Sequence, residues 1–334
     1  MKRLSRILQA GWLRWTVGVL LVAVLLYLSL RDVPPQEVWR SLREADSGLL
    51  LLALASVAVN TGAKLARWAV MANRGDARFP VSDLLAALLI GQTVNWFAPG
   101  RIGDLSRIYL AGRKGGSRSF LLGTLALEKI VDLLAYALLF LATILLLPMP
   151  GWLADSGVTL TILAVVLALV IGLVAAWPAA IEARLPALLG WLPARWQSAL
   201  LPRLKMALSS LGVLRLRSEA IRLAALTVLI WGTAVWTNDL VLRSLGVVLP
   251  WKAAVLVLVA LQAGISLPVV PGRFGLFEYV CILALAVFGV PESIGLSYGL
   301  LLHAIVLVPT SLASLVAFWS VGGRLSGLPQ VETG

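Results

Sequence analysis

Twice in this chain an apolar run is cut by the same short pattern. Pro99-Gly100-Arg101-Ile102-Gly103-Asp104 is the first copy; Pro271-Gly272-Arg273-Phe274-Gly275, followed by Glu278, is the second. Proline removes a hydrogen bond from a helix and glycine permits close backbone approach. Each break also carries an arginine and a carboxylate. Hydrocarbon offers no partner to a freed peptide group or a guanidinium, so a lipid-embedded chain tolerates such breaks only where they line a polar cavity. Two broken helices in corresponding positions of two halves are the sequence mark of a membrane transport site.

The surroundings of both copies are membrane-like. Of 334 residues 60% are hydrophobic and 13% charged, and apolar runs near the roughly 20 residues that span a bilayer recur throughout. The longest gap between them, about 178–219, is itself half apolar. It leaves no room for a separate catalytic domain of about 100 residues. The chain therefore reads as one all-α polytopic integral membrane domain over 1–334. The net charge of +12 belongs to basic clusters between apolar runs, where it sets topology and meets anionic headgroups; it does not indicate nucleic acid. Cys281 is the one cysteine, so no internal disulfide is expected. The apolar run from Val17 to Leu30 lacks a small-residue cleavage site and reads as an uncleaved first helix. The tryptophans fall mostly near segment ends, as an interfacial belt. There is no cluster at metal-ligand spacing, P-loop, dinucleotide fingerprint or nucleophile elbow. No metal, cofactor or enzymatic activity is expected.

Apolar segments are expected at about 12–30, 47–72, 82–98, 101–112, 120–147, 156–177, 221–243, 253–270, 274–288 and 294–320. Lys2, Arg3, Arg6 and Arg14 hold the N-terminus in the cytoplasm, and 31–46 reads as an external loop. Arg113, Lys114 and Arg118 form the next basic cluster after Arg74, so 82–112 must leave the inner side and return to it. Its second arm, about a dozen residues, covers roughly 18 Å of a ~30 Å core. That predicts a re-entrant hairpin with its tip at Pro99-Gly100. A second hairpin, 253–288, is broken at Pro271-Gly272 and enters from outside. Repeat 1 (about 47–147) and repeat 2 (about 221–320) then carry the same unit in opposite orientations, joined through a cytoplasmic amphipathic linker at about 178–219. Gln92 and Gln262 precede the two breaks at similar distances. Both termini are expected in the cytoplasm.

A helix start offers free amides and a positive dipole end, and an adjacent arginine adds a full charge, so each tip makes an anion site. Arg101, Asp104 and Arg107, at i, i+3 and i+6, share a face; Arg273 and Glu278 repeat the chemistry. The structural alternative is a kink whose arginine pairs with its own acid. Glu128 and Asp132 are i, i+4 neighbours inside an apolar run. They should face the interior and either pair, with Arg101 or Arg107, or relay a proton. Arg67 is expected to snorkel to the cytoplasmic surface, and Lys64 reads either way. Lys64, Asn238, Asp239 and Arg243 are secondary candidates, with Asp239 and Arg243 spaced to pair. His303, the one histidine, reads as a hydrogen-bonded packing residue.

The stretch Asn95-Trp96-Phe97-Ala98-Pro99-Gly100-Arg101-Ile102-Gly103-Asp104-Leu105-Ser106-Arg107 resembles the first signature of the flippase-like integral membrane family, which includes the transmembrane part of lysylphosphatidylglycerol synthase. Glu128-Lys129-x-x-Asp132 resembles its Glu-Arg-x-x-Asp element, with lysine for arginine. Pro271-Gly272-Arg273-Phe274-Gly275-x-x-Glu278 resembles its Pro-Gly-Gly-x-Gly-x-x-Glu element, with arginine for the middle glycine. The resemblance covers nearly the whole chain and implies lipid translocation. Because the chain ends at Gly334 without an appended synthase domain, aminoacyl transfer is not expected.

The resulting expectation is a multi-pass lipid flippase of a bacterial cytoplasmic (inner) membrane. Its substrate would be a phosphate-bearing lipid: an anionic or aminoacylated phospholipid, or a polyprenyl-phosphate type. Arg101, Arg107 and Arg273 would bind the headgroup phosphate. Asp104, Glu128, Asp132 and Glu278 would hold those arginines. Pro99, Gly100, Gly103, Pro271, Gly272 and Gly275 would form the structural breaks. Membrane lipids are the expected partners, and a homo-oligomer stays open. The alternative is a non-transporting lipid-binding accessory or scaffold for a membrane enzyme.

Overall fold

A computed structural model describes residues 22–31, 33–74, 78–98, 101–114, 117–146, 177–265 and 271–323, with isolated positions between 159 and 173. Every regular element among them is helical. After a helical stretch over 22–30 come α1 (Pro35–Glu44), α2 (Ser47–Ala72), α3 (Val81–Phe97), α4 (Ile102–Ala111) and α5 (Arg118–Leu146). Then follow α6 (Pro178–Leu188), α7 (Ala194–Ser209), α8 (Arg217–Ser244), α9 (Trp251–Ile265), α10 (Leu276–Ala286) and α11 (Glu292–Gly323). Pro99, Gly100 and most of the expected segment 156–177 lie outside the described residues.

Three of these helices, α2, α8 and the Glu292–Ser320 part of α11, are long and apolar enough to cross a membrane. α5 has 29 residues, about 44 Å of helix, but carries Glu128, Lys129 and Asp132 in its first half. α4 and α10 have only 10 and 11 residues, about 15 and 17 Å against a ~30 Å core. The expected boundaries 47–72 coincide with α2, where Asp46 caps the start by accepting a hydrogen bond from the Leu49 amide at 3.0 Å.

One expectation is corrected. The stretch 31–46 is not a plain loop but contains α1, which begins on Pro35 as the first helical residue. Val38 and Leu42, one turn apart, pack with Val33, Ile282 and Leu296. The helix is too short and too polar to register as an apolar run, so only that spacing betrays it.

α2 and α8 form the central pair and are joined by polar side chains. Ser56 Oγ donates to Thr233 O at 3.0 Å, Asn60 Nδ2 to Ile230 O at 2.6 Å, and Thr237 Oγ1 to Ser56 Oγ at 2.9 Å. Farther along, the Asp46 amide meets Ser244 O at 2.8 Å and Arg67 meets Thr227 Oγ1 at 3.2 Å. Numbers rise on one helix as they fall on the other, so the pair is antiparallel. Small and hydroxyl-bearing residues at such a contact let two membrane helices approach closely. Around this pair, α3 packs on α4 and α9 on α10; α11 lies against α3 and α5 against α9; α1 covers α11 and α7 covers α5. One apolar core forms around the first hairpin, from Trp68, Met71, Leu84, Leu88, Ile108 and Leu121. Another forms around the second, from Leu256, Phe277, Leu285, Tyr298 and Leu302. The helices that join these cores also wall a cavity.

Candidate functional site

The cavity measures about 690 Å³ and receives both tips, Arg101 from the first and Arg273 from the second. These arginines share a positive φ. Arg101 has φ 55° and Arg273 φ 59°, and they alone among the described non-glycine residues have positive φ. That conformation costs an L-residue roughly 1–2 kcal/mol, and strain of this kind collects at functional sites. Gly272 (φ 67°) and Gly275 (φ 78°) flank Arg273 and complete a turn that only glycine makes without strain. Gly103 serves differently. A Cβ there would collide with the Gly91 carbonyl oxygen and reach the Asn95 amide at 2.7 Å, so α3 and α4 touch backbone to backbone at that point.

Six basic and three acidic side chains line the cavity, a formal surplus of three positive charges. Each acid is already matched. Glu128 accepts a fork from Arg107 at 3.1 and 2.6 Å, with Arg107 3% and Glu128 7% exposed, and the same guanidinium sits 3.8 Å above the Trp68 ring. Asp132 pairs with Arg67 at 2.7 Å. Asp104 pairs with Lys129 at 3.0 Å and accepts from Asn95 Nδ2 at 3.0 Å. Lys64, Arg101 and Arg273 form no ion pair within 4 Å among the described residues, although Asp132 and Glu128 lie near enough to act on Lys64. Arg273 instead lies 4.4 Å over the Trp96 ring, and it feels the charge of Arg101 nearby.

Arg101, Asp104, Arg107, Glu128, Asp132 and Arg273 all line this one cavity, as do Lys64 and Asn238. Three expectations are corrected. Glu278 holds no arginine and does not line the cavity. At 2% exposure it accepts from the Gly275 amide at 2.7 Å and meets His303 Nδ1 at 2.7 Å. A glutamate at the third helical position reaches back to its own helix start, and that use consumes the carboxylate. Asp132 pairs with neither Arg101 nor Arg107. Arg67 does not snorkel: it is 2% exposed and supplies the partner of Asp132. Asp239 and Arg243 pair with each other at 2.7 Å outside the lining. His303 is a buried packing residue, its ring against Trp96, Phe274 and Phe277 at centroid distances of 5.2, 5.0 and 4.6 Å.

Trp96 and Trp231, both in the cavity wall, carry no sequence signal apart from the other tryptophans. Arg67 had one: two carboxylates on one face of a membrane helix demand two cations, and Arg67 lies seven residues beyond Asn60 on a single face of α2.

Residues 15–314 match the family described as lysylphosphatidylglycerol synthase TM region. A comparison with curated proteins returns no match.

Proposed function

The chain belongs to the lysylphosphatidylglycerol synthase TM-region family, and from that premise we propose that it moves the headgroup of a phosphate-bearing lipid across the membrane. A membrane, lipid-related role comes with the family; translocation is the finer reading. The observation that carries it is the meeting of two positive-φ arginines, from chain breaks far apart in sequence, in one polar chamber.

The fold is read as an inverted repeat. α2 and α8 are equivalent and antiparallel. The pairs α3/α4 and α9/α10 are equivalent hairpins, and α5 and α11 are equivalent closing helices. Four contacts correspond between the halves: α11 on α3 with α5 on α9, and α1 on α11 with α7 on α5. The equivalence thus extends beyond repeats 1 and 2 to the amphipathic helices. α4 and α10 are too short to cross a bilayer, which supports re-entrant hairpins meeting near the midplane. Two halves of opposite orientation around a fixed central site are the construction through which alternating access operates. In this reading the headgroup occupies the chamber, the acyl chains stay in the bilayer, and Lys64, Arg101 and Arg273 contact phosphate oxygens. The ion pairs Arg107–Glu128, Arg67–Asp132 and Lys129–Asp104 hold the walls. The chain acts in a bacterial inner membrane with both termini cytoplasmic, and as a transporter rather than an enzyme.

The test is headgroup translocation in reconstituted vesicles. Arg101→Ala should abolish movement of a labelled phospholipid while the protein remains folded; unchanged movement would remove the site from the mechanism.

A further inference from the structure

We propose that the cavity selects a lipid headgroup ending in a multiply charged phosphate, a phosphomonoester or a diphosphate, and rejects aminoacylated headgroups. This rests on the translocation reading and narrows its substrate. The argument is one of occupancy. An aminoacylated phosphatidylglycerol carries one or two ammonium groups, and an ammonium in a low-dielectric chamber needs a carboxylate or an open aromatic face. The chamber offers little of either, since the exposed part of Asp132, whose other oxygen is held by Arg67, is the one open carboxylate. The three lining carboxylates are each held by a cation at 3.1 Å or less. Of the lining aromatic rings, Trp96 is covered by Arg273.

What the chamber does offer is donors. Lys64, Arg101 and Arg273 line it without an ion pair to an acid among the described residues. Two guanidinium forks and an ammonium match phosphate oxygens in number and geometry. A phosphodiester brings one negative charge and two free oxygens, so it leaves most of the surplus uncompensated. A monoester brings ≈ −1.5 to −2 at neutral pH and three free oxygens, and a diphosphate brings more. Arg273 sharpens the point: its φ of 59° is one that glycine adopts freely and an L-residue does not. Its presence adds charge at the second tip at the expense of conformational ease.

The test uses the full chain in detergent micelles and isothermal titration with soluble short-chain lipids: dihexanoyl phosphatidic acid, phosphatidylglycerol, phosphatidylcholine and lysylphosphatidylglycerol. Phosphatidic acid should bind at least tenfold tighter than the diesters and at least a hundredfold tighter than the lysylated lipid. The preference should vanish in the double variant Arg101→Gly/Arg273→Gly, whose backbone glycine accommodates, and shrink at least threefold in Lys64→Gln, which alters no tip. Lysylphosphatidylglycerol binding as tightly as phosphatidic acid overturns the proposal. Inorganic phosphate binding as tightly as phosphatidic acid overturns its lipid half. Vesicles containing the same four headgroups separate the two levels. Translocation of all four at equal rates sinks the headgroup selection alone. Selective binding with no translocation of any sinks the transport reading and leaves the selection standing.

Discussion

Replacing Arg273 with glycine separates what the residue costs the fold from what it gives the site. Its φ of 59° strains an L-residue by roughly 1–2 kcal/mol, which Arg273→Gly relieves. Against that, glycine raises the entropy of the unfolded chain by about 0.4–1 kcal/mol. The stack on Trp96 at 4.4 Å is lost, about 0.5–1 kcal/mol. The three effects nearly cancel, so stability should stay within about 1 kcal/mol of the parent. The site fares differently. Loss of a charge-assisted hydrogen bond to phosphate removes about 1.5–3 kcal/mol, a ten- to hundredfold weakening at roughly 1.4 kcal/mol per decade. Tryptophan-detected thermal unfolding and initial headgroup translocation rates in vesicles measure the two sides. An unfolding midpoint that drops by the equivalent of more than about 2 kcal/mol, or a translocation rate equal to the parent's, refutes the reasoning.

Glu128→Ala should destabilise by about 3–5 kcal/mol, because it strands Arg107 buried and unpaired, and Arg107→Met with Glu128→Leu should recover most of that loss in thermal unfolding. Gly103→Ala should cost near the upper end of the 1–3 kcal/mol typical of overpacking (about 3 kcal/mol), since the α3 backbone at Gly91 and Asn95 blocks the new methyl; a midpoint unchanged from the parent would mean that α3 and α4 do not cross there. A thiol placed in the cavity wall by Thr61→Cys should react roughly tenfold faster with an anionic methanethiosulfonate than with a cationic one, relative to a free thiol. Native Cys281 is buried and leaves a silent background; equal relative rates would deny the positive surplus.

Much of this arrangement is legible in the sequence because hydrocarbon is an intolerant solvent. A run such as 47–72 has few alternatives to a helix, and a guanidinium beside a proline within apolar surroundings must find water or a partner. Those constraints located Arg101, Arg273, the carboxylates of α5 and the bounds of α2. Pairing across the fold was harder to see. Helical spacing reveals which face Glu128 and Asp132 share, but not which cations of distant helices arrive at that face. Arg67 and Asp132 meet only because α2 and α5 pack. Glu278 misled because its chemistry suits a binding site and a helix cap equally; the buried His303 beside it, 25 residues on, settles its use. α1 stayed hidden because two apolar side chains one turn apart are too little pattern to outweigh the polar residues around them.

Mass spectrometry of lipid retained after gentle purification tests the central claim most directly. The parent chain should carry a phosphate-bearing lipid near one per chain, and the Arg101→Gly/Arg273→Gly variant, purified alike, should carry little or none. Equal retention by both, or a bound population that merely mirrors the surrounding membrane, would contradict a headgroup site at the two tips.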